Sequence, residues 1–414
     1  MMRKPDRIEI EQYRYTLPES RIARYPLPQR DHSSLLFYDR GRIEKHSFRK
    51  LPDLIPPGTR LAFNSTRVIQ ARLHFRKPTG ALIEIFCLEP LMPADYEQAF
   101  QSTSSCSWKC LVGNARKWKE GPVQLSLGSG EQAFNITAFK DKSPQGEYIV
   151  RFSWDHPGVT FGEVLEQAGQ TPIPPYLNRE AEEGDRERYQ TIYSRNPGSV
   201  AAPTAGLHFS KETMARLEAK DIRTAELTLH VGTGTFVPVK ENDARKHTMH
   251  TELVVISVEV LEGWLRTPEP FLAVGTTTTR SLESLYWLGV KILSGQEPGP
   301  DSLRLDQWEN EGLPATYRLK ESLEALLDYC HRYKLEELAF TTRLMIVPGY
   351  RFRAISGLIT NFHLPGSTLL LLIAAFIGED WRKVYEFALT HQFRFLSYGD
   401  SSLLLPHGWS GTHQ

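Results

Sequence analysis

The chain has 414 residues, 40% of them hydrophobic and 24% charged, the balance of a globular protein with more than one core. Lys plus Arg and Asp plus Glu number 49 each, so the net charge is zero; a globally basic nucleic-acid binder is excluded, and any RNA contact needs a local patch. The four cysteines, Cys87, Cys106, Cys110 and Cys330, have no regular spacing, so no disulfide framework is expected.

The N-terminus, MMRKPDRIEIEQYRY, is charged and lacks the apolar core of a secretory signal. Residues 1–65 read as short strands and turns. From about 70 to 152, short alternating strands such as ALIEIFCLEP, SWKCLVG, VQLSLGSG and GEYIVRFSW are split by Gly, Pro and Asn, which predicts a small antiparallel barrel. The character changes near Trp154. FGEVLEQAGQ predicts a helix, and KETMARLEAKD another with Ser210 as N-cap. AELTLHVG and FLAVG read as strands, LEALLDYCHRYKLEEL as an amphipathic helix and STLLLLIAAFIG as a buried one. The longest apolar run, Leu369 to Ile377, is far short of the roughly 20 residues of a membrane span. The expected fold class is α/β: a layered main domain with a mixed sheet (1–66 and 154–414) and an inserted antiparallel β-barrel (67–153). The expected compartment is the cytoplasm, with no membrane contact.

Four loops share one character. GSVAAPTAGLHFS (Gly198–Ser210) is poor in side chain, so its backbone approaches something closely; it holds Ala202, Pro203, Thr204, Gly206 and His208. LTLHVGTGTF ends a strand at His230 with Gly232 and Gly234. FLAVGTTTTRSLES gives Gly275, Thr276, Thr277, Arg280 and Glu283, with a helix start expected near Ser281. LITNFHLPGSTLLLL gives Asn361 and His363. In open α/β sheets ligands bind beyond the carboxyl ends of strands, and all four loops suit that edge. None matches a dinucleotide or Lys-containing phosphate loop. His247 and His250 lack the i, i+4 spacing and intervening Glu of a zinc helix, so no metal is expected.

Two segments can form a basic patch. ARLHFRK puts Arg72, His74 and Arg76 on one strand face, because strand side chains alternate. GNARKWKEG supplies Arg116, Lys117 and Lys119 around one flat ring, Trp118, the residue types that contact phosphate and stack on bases.

The motifs GSVAAPTAGLHF, TLHVGTGTF, HTMHTE, AVGTTTTRSLES, PGYRF, TNFHLPGSTLL and FRFLSYGD, with LPESRIARYPLPQRD, FNSTRVIQARL, PPY and YQTIYS, resemble in order those of the tRNA ribosyltransferase-isomerases of queuosine biosynthesis, over about residues 15–400. The resemblance implies an α/β domain with an inserted barrel, S-adenosylmethionine as ribosyl donor and no metal. The implied acceptor is 7-aminomethyl-7-deazaguanine in a tRNA anticodon loop, giving epoxyqueuosine, adenine and methionine. On that footing His208 or His230 is expected to handle C5′ or adenine, and Asp400 the aminomethyl group. Arg280 with the helix start is expected at the methionine carboxylate, Tyr350 or another ring at the sulfonium, and His250 and Glu283 near substrate. A monomer is expected. The chain departs from the family pattern at Ser34, Gly113–Asn114, Gly366, Phe393 and Leu396, and is about 30 residues longer between Tyr286 and Leu344. The departures leave open a paralogue with another acceptor, or a tRNA-binding protein without activity.

Overall fold

Alternating burial along the strands decides the architecture of this computed structural model, which describes residues 7–130, 133–142, 147–156, 158–232, 239, 241–266 and 271–407. Four strands, Arg223–His230, Arg60–Asn64, Phe271–Val274 and Ile355–Asn361, run parallel at the centre of a ten-stranded sheet. Arg60–Asn64, Phe271–Val274 and Ile355–Asn361 are largely apolar on both faces, whereas Arg223–His230 alternates, burying Ala225, Leu227 and Leu229 on one face only. Ala62, Phe271, Ala273 and Leu358 join the core beneath the long helices, while Leu61, Phe63, Leu272, Val274 and Ile359 join a second core with Phe48, Phe209 and Leu217. A parallel sheet covered on both sides is the arrangement that such uninterrupted apolar strands require.

Strands in mixed orientation extend the sheet either way, the first neighbour on each side antiparallel to the central four. Ser401–Leu405, Ser34–Asp39 and Arg42–Ser47 lie on one side; Glu252–Ser257, Glu337–Thr342 and the two-residue strand Arg304–Leu305 lie on the other. The outermost strand Arg42–Ser47 is the charged run RIEKHS, in which Glu44 pairs with Arg42 and His46 on its own strand.

The barrel is closed, in the order Tyr148–Trp154, Ser105–Gly113, Leu82–Met92, Arg72–Arg76, Val123–Leu127, Phe134–Lys142. Leu73, Phe75, Ile85, Trp108, Ile136, Val150 and Phe152 fill it. Arg72, His74 and Arg76 alternate outward, as strand geometry requires. Cys87, Cys106 and Cys110 are free and buried in this core, and Cys330 is free and buried under the main sheet. No described helix is long and apolar enough to cross a membrane. The stretch from Tyr286 to Leu344 completes the helix Thr276–Leu293, adds the edge strand Arg304–Leu305 and forms the helix Leu319–Tyr333, which packs on Thr276–Leu293.

Candidate active site

Because the four central strands are parallel, His230, Asn64, Val274 and Asn361 all end at one edge of the sheet. The small-residue loop is stitched to that edge: the Val200 N–H and the Ser199 hydroxyl donate to the Val231 carbonyl. A cleft opens there, lined by Tyr176, Ala201–Ala205, Val231, Gly275–Thr277, Thr360–Leu364, Ser367, Leu369, Leu396 and Ser397. Counted out to bulk solvent it encloses about 740 Å³. A second groove lies between Arg67–Gln70 and the helix Phe161–Ala168, but no described residue of the four loops lines it.

Among the described residues the lining has polar groups but no carboxylate and no Lys or Arg. Its positive end is a helix terminus. Thr276–Leu293 begins at Thr276, five residues before the expected start at Ser281, behind Gly275 at φ +96. The Thr278 and Thr279 hydroxyls donate back to the carbonyls of Val274 and Gly275, which lets threonines of modest helix propensity open the helix. No side chain caps it, and among the described residues nothing accepts from the Thr276 or Thr277 N–H. Such a terminus favours an anion.

The loop's small residues have two causes. Ala201–Ala205 form the cleft wall. Elsewhere neighbours forbid side chains: a Cβ on Gly206 would meet Tyr193 Oη at 2.0 Å, and one on Gly198 would meet His230 Nδ1 at 2.5 Å. Gly206 therefore packs on a tyrosine and does not line the cleft.

The structure gives the three histidines three places. His208 is 4% exposed and lies behind the wall, its ring 5.2 Å from that of Phe48. Its Nδ1 is 2.8 Å from Ser33 Oγ and its Nε2 is 3.1 Å from Asn361 Nδ2. Burial, with Arg394 and Arg30 nearby, pushes its pKa down to about 3. Both of its nitrogens are engaged, and it does not line the cleft. His230, also outside the lining, stacks on Tyr96 (centroids 4.2 Å apart) beside Gly198, and burial lowers its pKa to about 4. It belongs to the junction with the barrel. His363 alone lines the cleft. Its N–H donates to Tyr385, its carbonyl accepts from Tyr15, and its Nε2 is 2.9 Å from Thr360 Oγ1; Nδ1 has no partner among the described residues. Burial lowers its pKa to about 3, so the ring is neutral.

Asn361 is 3% exposed at the end of its strand. Its Nδ2 faces His208 and the Asp400 carbonyl, while Oδ1 has no partner. An unpaired buried carbonyl oxygen costs about 1–3 kcal/mol, so its retention calls for an explanation.

Four expected substrate contacts fall elsewhere. Arg280 is buried in an ion pair with Glu252, which also accepts from His250 at 3.0 Å. Burial alone would raise the Glu252 pKa; Arg280 and His250 outweigh it and hold the group down at about 2. Glu283 accepts from the backbone of Arg353, Ala354 and Ile355 and from the Tyr350 hydroxyl, pinning the PGYRFRAI segment to the helix. Burial raises its pKa to about 7 against those donors. Thus His250, Arg280, Glu283 and Tyr350 do not line the cleft, and the rings that do are Tyr176 and Phe362. Asp400 is likewise committed: Oδ1 accepts from the Ser34 N–H and from Arg394, and Oδ2 from the Arg394 N–H. Ala202, Pro203, Thr204, Gly275, Thr276, Thr277, Asn361 and His363 do line the cleft, and Gly232 follows the lining residue Val231. Gly234 lies outside the described residues.

Sequence reasoning missed Tyr176, Ser397, Leu396 and Ser33. The first three stand in quoted motifs, PPY and FRFLSYGD; nothing local marks Ser33. Two departures have structural reasons: Gly366 sits at φ +65 and Asn114 at φ +56, where glycine and asparagine are the tolerated residues.

On the barrel, Arg116, Lys117 and Lys119 are exposed. Trp118 is corrected: it is 1% exposed, its indole N–H donating to the Gly121 carbonyl, and is not free to stack on a base. Arg72 and His74 share Glu84 from the neighbouring strand, so that face is largely neutralised, while Arg76 is exposed. No group of His, Cys, Asp and Glu suited to a metal occurs among the described residues.

The profile of the family described as queuosine biosynthesis protein matches residues 10–404. The S-adenosylmethionine:tRNA ribosyltransferase-isomerase of Halothermothrix orenii is 36% identical over 405 residues, 96% of this chain and all of that one. The protein of the same name from Acaryochloris marina is 37% identical, covering 96% of this chain and 94% of its own. A crystal structure of S-adenosylmethionine tRNA ribosyltransferase from Thermotoga maritima is 27% identical and covers 95% of this chain and all of that one, with a TM-score of 0.44. With the family profile matching residues 10–404 and relatives 36–37% identical across 96% of the chain, the chain belongs to the queuosine biosynthesis protein family.

Proposed function

We infer that this chain is an S-adenosylmethionine-dependent tRNA ribosyltransferase-isomerase: it moves and isomerises the ribosyl group of S-adenosylmethionine onto 7-aminomethyl-7-deazaguanine in the anticodon loop, releasing adenine and methionine. The observation that carries this reading is the convergence of separate motif loops on one cleft whose lining, among the described residues, holds no charged side chain. A sulfonium ion brings its own positive charge, and its methionine carboxylate suits the free N–H groups at Thr276 and Thr277. Tyr176 and Phe362 supply rings for the sulfonium.

The sulfonium acidifies the C5′ protons, so a proton acceptor is needed there. His363 is the imidazole in the cleft, neutral and with Nδ1 free. Arg76, Arg116, Lys117 and Lys119 face outward on the barrel, where phosphate contacts would hold the RNA. A tRNA substrate puts the reaction in the cytoplasm. The test is adenine release from S-adenosylmethionine with tRNA carrying the aminomethyl base. Release is expected only with both present, and His363→Asn is expected to lower turnover about 100-fold. Release that ignores the aminomethyl base refutes the acceptor; near-normal turnover of the variant removes His363 from the chemistry.

A further inference from the structure

Asn361 is held in one sense by its neighbours. Its amide end faces two acceptors at once, His208 Nε2 at 3.1 Å and the Asp400 carbonyl at 3.4 Å. Only an NH2 group satisfies both, because a flipped amide would set its oxygen against a carbonyl oxygen. His208 Nε2 must then be the unprotonated nitrogen. The proton sits on Nδ1, and Ser33 Oγ, 2.8 Å away, accepts it. The chain of hydrogen bonds runs from a residue near the N-terminus, through the small-residue loop, to the end of a central strand. It leaves one polar atom unused: Asn361 Oδ1, without a partner, on a residue that lines the cleft.

We propose that Asn361 is a specificity-determining residue whose Oδ1 accepts a hydrogen bond from an N–H or O–H of the bound nucleoside, with His208 and Ser33 as positioning residues that keep the acceptor end of the amide toward the ligand. The inference rests on the reading that this cleft binds S-adenosylmethionine. An amide free to flip would offer a donor as readily as an acceptor; one locked by two acceptors behind it rejects a ligand that presents a lone pair there. Two parts of the nucleoside carry donors, the exocyclic amine of adenine and the ribose hydroxyls. The contact is made before and during reaction alike, so its loss raises KM more than it lowers kcat.

Calorimetric binding of S-adenosylmethionine, S-inosylmethionine and the 2′- and 3′-deoxy analogues tests this on the wild type, Asn361→Ala and the milder Asn361→Ser. The wild type is expected to bind one analogue class at least about tenfold more weakly than S-adenosylmethionine, and both variants to lose that discrimination. Loss confined to the inosyl analogue assigns the adenine amine; loss confined to a deoxy analogue assigns the ribose. His208→Phe, which keeps a ring but removes the acceptor, should also lose discrimination while keeping the fold. Nitrogen-15 shifts of the imidazole in the wild type provide a readout that needs no variant: Nδ1 is expected to carry the proton. The opposite tautomer, or variants that discriminate like the wild type, overturns the proposal. Failure of the wild type to bind S-adenosylmethionine at all, with the expected tautomer present, overturns the cleft assignment instead.

Discussion

Burial decides what each ionisable group here can do, and Glu252 is the clearest instance. It is 1% exposed, and so is tolerable as an anion only because Arg280 and His250 face it. Its pKa of about 2 lies below the ordinary value of 4.5. The folded state thus releases this proton more readily than the unfolded chain does. The resulting stability is fully present above about pH 4.5 and is lost as pH falls toward 2. Glu252→Gln leaves Arg280 buried without its counter-charge, and is expected to destabilise the fold by about 3 kcal/mol, as breaking one partner of a buried pair does. Denaturant unfolding at pH 7 and pH 4 checks both points: the loss should be large at pH 7 and smaller at pH 4. Because Arg280 is engaged here and not in the cleft, the affinity of whatever variant remains folded for S-adenosylmethionine should change little. A loss of affinity larger than the loss of stability would return Arg280 to the ligand. Arg280 follows the threonine run that does reach the cleft, and nothing in the sequence shows that Glu252, from a neighbouring strand, engages its guanidinium.

Among the elements, the helix Thr276–Leu293 tests the anion site most directly. Thr276 is its first residue, a position where proline is accepted because the lost N–H bonds nothing within the helix. Thr276→Pro is expected to keep the melting temperature within a few degrees and to raise KM for S-adenosylmethionine several-fold, as loss of a donor to a carboxylate would. An unchanged KM would place the carboxylate elsewhere. This helix also shows where sequence reading stops. Its apolar stripe was legible, as were the strands on either side and the alternation of the barrel, because each is a local period of 3.6 or 2. Its start was not. Four threonines read as loop, with the helix beginning near Ser281; the structure instead ties the hydroxyls of Thr278 and Thr279 to carbonyls one turn back. The loops of the cleft were likewise legible as strand-end turns. The partnership of Ser33, His208 and Asn361 was not, since it joins positions 175 and 153 residues apart whose meeting depends on the whole sheet order.

At the scale of the molecule, the proposed chemistry and the proposed RNA contact fall on different bodies, a cleft at the sheet edge and an exposed turn on a closed barrel. Replacing Arg116, Lys117 and Lys119 together with alanine should therefore weaken tRNA binding while leaving S-adenosylmethionine binding intact. The log–log salt dependence of tRNA affinity should flatten by about 0.7–0.9 for each phosphate contact removed. If the slope stays as steep, the RNA is held by some other surface. The outer border of the large sheet carries a separate implication. An open ten-stranded sheet offers a row of unpaired amides at each side, a template on which another copy can lay down a strand. One border is two residues long; the other is Arg-Ile-Glu-Lys-His-Ser, with Glu44 already bound to Arg42 and His46 on either side of it. An arriving strand would have to strip water from that row of ions for a few backbone bonds, so crowded copies of this protein, or copies still emerging from a ribosome, gain nothing by joining sheets.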